Sequence, residues 1–339
     1  MRITPNWQNV KPLGRTWPLE EGLWLAFSAS GAEFTFTGCT CEVTIAGDNR
    51  AADAEAVNDH ARIAIELDGR RAVDAQLNVP EKVFTLEAGE GEHTVRIVKL
   101  SETAMSTCII NTIEAENIRP TTNKSCLVEF IGDSITCGYG VLGLHTDSTY
   151  RTYQQDVTRS YAGITAERFG ADARFIAISG KGIVCNCNGD RTDIKTGEYY
   201  NRQSRTGGIC NDGWVADVVV INIGTNDCGG PAPNDEFEQA ARDLVAKVRD
   251  RYPEAHIIWL YGMMSQLYSE VLRDTLRDIS KKDEKVHFMF ADTMYGNEPE
   301  TGANGHPNVR CSVRVSNMLY KKIRSLTGWR NKVTLPEEE

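Results

Sequence analysis

Nowhere in the 339 residues does an uninterrupted apolar run reach the roughly 18 residues of a membrane-spanning helix. The first residues, MRITPNWQNVKPLGRTW, also lack the apolar core of a secretion signal. The expectation is a soluble, cytoplasmic chain, or a secreted one if a signal preceded the given start. Lysine and arginine form no long run and the formal net charge is −10, which argues against nucleic acid and anionic membrane as partners. The ten cysteines are not the dense framework of a small disulfide-stapled domain. Cys39 and Cys41 are spaced to share one face of a strand, beside Val43 and Ile45. Cys185 and Cys187, with Cys210 beyond, have no histidine nearby to complete a tetrahedral set. No metal or other cofactor is expected.

What is present falls into two halves. From about Leu23 to Ile118 apolar residues alternate: Leu23, Leu25 and Phe27; Phe34 and Phe36; Val43 and Ile45; Ile63, Ile65 and Leu67; Val95 and Ile97. A period of two means strands with one buried face, and the Gly- and Asn-rich breaks between them are turns, so residues 1–122 read as an antiparallel β-sandwich. After the polar stretch at Arg119–Lys124 the pattern changes. Short apolar runs at Leu127–Ile131, Arg174–Ile178, Val218–Ile223, Ile257–Tyr261 and Val286–Ala291 have the length of buried parallel strands. Between and after them lie helical stripes, one capped by Ser160 and closed by Gly170, one opened by Asp235 and Glu238 as a capping box, and a last one over about Cys311–Leu326. Residues 123–330 therefore read as an α/β domain on a five-stranded parallel sheet, with 331–339 as a tail.

Ligands of an open α/β sheet sit beyond the carboxyl ends of its strands, so the residues that follow each run matter most. Gly132-Asp133-Ser134 follows the first, Ser179-Gly180-Lys181-Gly182 the second and Gly224-Thr225-Asn226-Asp227 the third. Alone, Gly-Asp-Ser is ordinary turn composition. Together the loops offer the parts of acyl transfer: Ser134 as nucleophile, and its own amide, the Gly180 amide and the Asn226 side chain as oxyanion donors, with Gly182 as substitute if the turn is shifted. The base is expected at His306, after the fifth strand. His256 and His287 lie at strand starts, His60 and His93 in the sandwich, and His145 is a weak second choice. Asp133 and Asp227 read as supports that hold loop shape. Tyr139 could line the site, and Trp214, which precedes its strand, should lie away from it.

GDSI at 132–135, ISG at 178–180, GTND at 224–227 and GHPN at 305–308 resemble the four blocks of the SGNH (GDSL-type) hydrolases. With a β-sandwich in front, and with EFIGDSITCGYG and VVVINIGTND, the whole chain resembles carbohydrate esterase family 2, the acetyl xylan esterase-like enzymes. The resemblance implies a jelly-roll sandwich joined to an SGNH domain, and serine-esterase removal of acetyl groups from plant oligo- or polysaccharides of xylan or mannan type. It implies Ser134 as nucleophile, Gly180 and Asn226 as oxyanion donors and His306 as base. One departure stands out: Ala303 and Asn304 occupy the positions where many SGNH enzymes carry an aspartate. Members of the resembled family work with a Ser-His dyad oriented by a backbone carbonyl; Asp292 and Glu298 are more remote candidates. Two other readings stay open, an esterase or thioesterase for a lipid or other acyl group, and a carbohydrate-binding protein impaired in catalysis. Oligomeric state is not legible.

Overall fold

The computed structural model describes residues 1–295 and 298–332. The rest of the expected tail and the Glu298 side chain lie outside the described residues. Ten antiparallel strands come first: β1 (Arg2–Ile3), β2 (Lys11–Leu13), β3 (Thr16–Leu19), β4 (Gly22–Leu25), β5 (Gly31–Gly47), β6 (Arg62–Leu67), β7 (Arg70–Gln76), β8 (Glu81–Glu87), β9 (Glu92–Lys99) and β10 (Cys108–Pro120). They share one hydrogen-bonded network, because β5 and β10 are long enough to pair in both parts of it. The first half of β5 pairs with β9 through Gly31–Thr37, and the second half pairs with β8 through Thr40–Ala46.

Gly38 joins those halves at φ +99°, and the side-chain parity shifts there. Phe34 and Phe36 point inward before it, and Cys41, Val43 and Ile45 after it. The expectation that Cys39 and Cys41 share a face is therefore wrong. Cys39 falls at the corner and is exposed, while Cys41 is buried. Unbroken period-two counting fails across such an irregularity. The other alternating residues do form the core of this part, with Leu67 at its edge. Phe27 is the exception, packing instead with the core of the following domain.

The second half is built on β11 (Leu127–Gly132), β12 (Asp172–Ala177), β13 (Val218–Asn222), β14 (His256–Tyr261) and β15 (Val286–Phe290), all parallel, in the order β12-β11-β13-β14-β15. Its helices are α1 (Ser134–Cys137), α2 (Tyr161–Phe169), α3 (Thr196–Tyr199), α4 (Asn234–Arg251), α5 (Ser269–Ser280) and α6 (Val309–Thr327). Alternate strand residues serve opposite faces. Val219, Ile221, Ile257 and Trp259 pack with α4 and α5, whereas Val218, Val220, Ile258 and Leu260 pack with α2 and α6. Both faces are covered, which is why the strands read as continuous apolar runs.

Ser160 accepts a bond from the Gly163 amide at 3.2 Å, and Gly170 closes α2 in the left-handed conformation. The capping box expected at Asp235 is not formed. Helix α4 starts at Asn234 behind Pro233, so Asp235 falls within the first turn. There it complements the helix dipole without capping.

Candidate active site

Three loops leave the carboxyl edge of the sheet and converge. Gly132 ends β11 where a Cβ would lie 2.0 Å from Thr136 Oγ1, so only glycine allows α1 to begin so abruptly. Asp133 caps that helix, its Oδ1 accepting the Ile135 amide at 3.0 Å, and Ser134, the first helical residue, is buried. After β12, Gly180 sits at φ +76° with Cys187 Sγ 2.9 Å from where its Cβ would be. After β13, Asn226 Nδ2 donates to Lys181 O at 3.0 Å and to Asp133 Oδ2 at 3.1 Å. One amide group thus ties all three loops together.

Asp227 does a second kind of bracing. Its carboxylate accepts the amides of Ile183, Val184 and Cys185 at 2.8 to 3.2 Å, holding the chain beyond Gly180 against the Asn226 turn. Gly182 is not available as the substitute oxyanion donor, because its amide is directed to Asn186 Oδ1 at 3.3 Å. Burial pushes the Asp133 carboxyl up to about 7, with the Asp227 and Glu102 charges adding to the shift and the Ile135 amide opposing it. Asp227 is raised too, first by burial, against the pull of its three amides.

His306 reaches this cluster from the segment before α6. Its Nε2 lies 2.9 Å from Ser134 Oγ and its Nδ1 lies 3.0 Å from the Asn304 carbonyl oxygen. A carbonyl can only accept, so Nδ1 carries the proton and Nε2 presents its lone pair to the serine hydroxyl. The carbonyl faces the ring because Asn304 and Gly305 both adopt left-handed backbone, at φ 49° and 69°. Tyr139 holds the ring from another side, its centroid 4.4 Å from that of His306 and 3.8 Å from that of Tyr150, on which it stacks. Asn304 Nδ2 donates to the Tyr139 hydroxyl at 3.4 Å. Loss of hydration pushes His306 down to about 4, with the Asn304 bond acting in the opposite direction.

The other sequence candidates lie elsewhere. His145 is exposed, His93 pairs with Asp68, His60 faces the Asp53 carbonyl, and His256 and His287 face each other at 3.3 Å. Asp292 is not the partner of Nδ1, which the Asn304 carbonyl holds; its own backbone carbonyl accepts from Arg314. The Asn304 carbonyl takes the place of the missing acid, which was one of the two motives for the catalytically impaired reading, the other being the likeness of the sandwich to binding modules. Trp214 lies against Arg174, 4.3 Å from the guanidinium carbon, and makes an edge contact with Tyr252. Glu102 was missed altogether: it comes from the connection between β9 and β10, and its carboxylate accepts the Ser179 amide at 2.7 Å. No local pattern marks a side chain that works across a domain junction.

Known proteins are similar to this chain across both of its halves. Residues 130–310, more than half the chain, match the GDSL-like Lipase/Acylhydrolase family, and residues 13–121 match the Carbohydrate esterase 2 N-terminal family. The cellulase/esterase CelE of Acetivibrio thermocellus is 28% identical over 90% of this chain, which spans only 38% of that protein's length. An acetylxylan esterase / glucomannan deacetylase of Cellvibrio japonicus is 20% identical over 87% of this chain and 85% of its own. Among solved structures, a family two carbohydrate esterase from Clostridium thermocellum in complex with cellohexaose superposes with a TM-score of 0.86 at 26% identity, covering 94% of this chain and 99% of that one. By the match over its α/β half, and by the N-terminal domain that precedes it, the chain belongs to the GDSL-like lipase/acylhydrolase family, within carbohydrate esterase family 2.

Proposed function

We propose that the chain is a serine acetylesterase that removes O-acetyl groups from xylan- or mannan-type oligo- or polysaccharides. The observation that carries this reading is the chain of contacts from Ser134 Oγ to His306 Nε2 and from His306 Nδ1 to the Asn304 carbonyl. His306 takes the serine proton as Oγ bonds to the acetyl carbonyl carbon, whose oxygen becomes negative. The amides of Ser134 and Gly180 stabilise that oxygen, together with the Asn226 proton that faces Asp133. Asn226 serves in this way by exchanging a carboxylate acceptor for the oxyanion. Collapse of the intermediate expels the sugar oxygen, which takes the proton from Nε2 and leaves acetyl-serine. A water deprotonated by Nε2 then attacks the acetyl carbon, and acetate leaves as the proton returns to Ser134. The Cellvibrio relative's name and the cellohexaose complex of the clostridial enzyme support a glycan substrate.

The test is acetate release from acetylated xylo- and manno-oligosaccharides, followed by mass spectrometry. Ser134→Ala is expected to lower turnover by at least about 10⁴-fold. Unchanged release in that variant would refute the nucleophile. Faster hydrolysis of p-nitrophenyl octanoate than of the acetate would overturn the substrate class in favour of longer acyl groups.

A further inference from the structure

Glu102 is wholly buried, yet it comes from the antiparallel half of the molecule. Both of its carboxylate oxygens are spent on one residue: Oε2 accepts the Ser179 amide at 2.7 Å and Oε1 accepts the Ser179 hydroxyl. Ser179 directly precedes Gly180. Cys137, the last residue of the short helix that Ser134 begins, feels the charge of the same carboxylate. One side chain of the N-terminal half therefore grips the loop that carries an oxyanion amide and lies beside the nucleophile's helix.

The placement is costly. A carboxylate taken out of water loses several kcal/mol of hydration unless its partners replace it. Here it also lies near the buried acid Asp133, which feels its charge. Lys99, wholly buried beside it with Nζ on the Ser101 carbonyl at 2.8 Å, offsets part of the penalty. A junction that needed only cohesion is better served by an apolar side chain of similar volume. What a carboxylate adds is direction: two acceptors in a fixed fork fix the orientation of Ser179, and through it the next peptide plane.

We propose that Glu102 is a positioning residue for ester hydrolysis, clamping Ser179 so that the Gly180 amide points at the developing oxyanion, which makes the N-terminal half part of the hydrolytic site. This rests on the reading of Gly180 as an oxyanion donor. The experiment compares the full chain with Glu102→Ala, Glu102→Gln and Ser179→Ala, measuring kcat and KM on p-nitrophenyl acetate together with hydrogen exchange of the peptide spanning 177–181. Glu102→Ala is expected to lower kcat about 30-fold with KM within about twofold, since the donor is misaimed rather than removed. Exchange in 177–181 should speed by about tenfold while the central strands keep their protection. Glu102→Gln is expected to recover most of kcat, because its amide can accept from the Ser179 N–H and donate to the hydroxyl. Should Glu102→Ala fail to fold, Glu102→Asp, whose shorter side chain withdraws the fork from Ser179, Ser179→Ala and their double variant carry the test. Losses that combine to less than their product support the clamp, and fully multiplicative losses overturn it. Unchanged kcat or unchanged exchange in folded Glu102→Ala overturns it as well, with the proposed function intact if the activity still depends on Ser134. A wild-type chain without Ser134-dependent hydrolysis overturns the functional reading and, with it, the role given to Gly180.

Discussion

A histidine whose Nδ1 faces a carbonyl has its tautomer and ring orientation set, as one that faces a carboxylate does, but by a weaker bond and with no opposite charge to gain when it takes up a proton. His306 is in that position, half-buried, and lost hydration without a counter-charge holds it down to about 4. A group lowered in this way is neutral, and so able to accept the serine proton, at every pH above that value. The acid limb of kcat/KM should therefore lie well below the ordinary histidine value of about 6.5. A limb near 6.5 in a pH–rate profile would refute the burial argument. The sign for stability is the same: between about 6.5 and about 4 the unfolded chain binds the proton and the folded one does not, so this residue's contribution falls as pH drops through that window. Asn304 is used through its backbone, at φ 49°. Asn304→Gly should keep kcat within about threefold, whereas Asn304→Val, forced into left-handed backbone, should lose about tenfold or more. Equal kcat in the two variants would show that the carbonyl does not orient the ring.

At the scale of elements, the loops after β11, β12 and β13 are held less by their own conformations than by buried side chains reaching between them. Asp227 is the clearest case, with three amides of the neighbouring loop on one carboxylate. Asp227→Ala would leave those amides without an acceptor and should cost about 3 kcal/mol or more, read from chemical denaturation. A loss below about 1 kcal/mol would show that water replaces the carboxylate. The block order, the strand runs and the caps of α2 were legible in the sequence because each is a local pattern. The start of α4 was not, since Pro233 lets the helix begin one residue before the acid that looked like its cap. The face of Cys39 was lost for a related reason: Gly38 changes the parity of β5, and nothing in an alternating sequence announces an irregularity.

At the scale of the whole molecule, the proposed division at 122–123 separates the backbone but not the interior. Phe27 lies in the core of the α/β half. Arg15, fully buried, donates to the carbonyls of Tyr200 and Arg202 at 2.6 and 2.7 Å and lies 3.5 Å from the buried Glu129 carboxylate. Removing the first 122 residues would leave Glu129 without its cation and expose the Phe27 socket. The pair alone represents about 3–5 kcal/mol if broken from one side, comparable to a small domain's whole stability. Residues 123–332 expressed alone should lack a cooperative unfolding transition and esterase activity. A folded fragment with wild-type kcat would contradict this and the role of Glu102 together.

The chain's own pattern was enough to read the two halves and the parallel strands, and to single out Ser134, Gly180, Asn226 and His306 as candidates. Each follows from local chemistry: alternation makes a half-buried strand, an apolar run makes a covered one, and a glycine turn at a strand end makes a place for a reactive side chain. Folding alone decided what completes the site. The Asn304 carbonyl depends on two consecutive left-handed residues, the Asn226 amide on three loops meeting, and Glu102 on two halves of the chain packing with a carboxylate between them. Those contacts join residues 45 to 93 positions apart along the chain or turn on a backbone angle, and neither leaves a periodic trace in the order of amino acids.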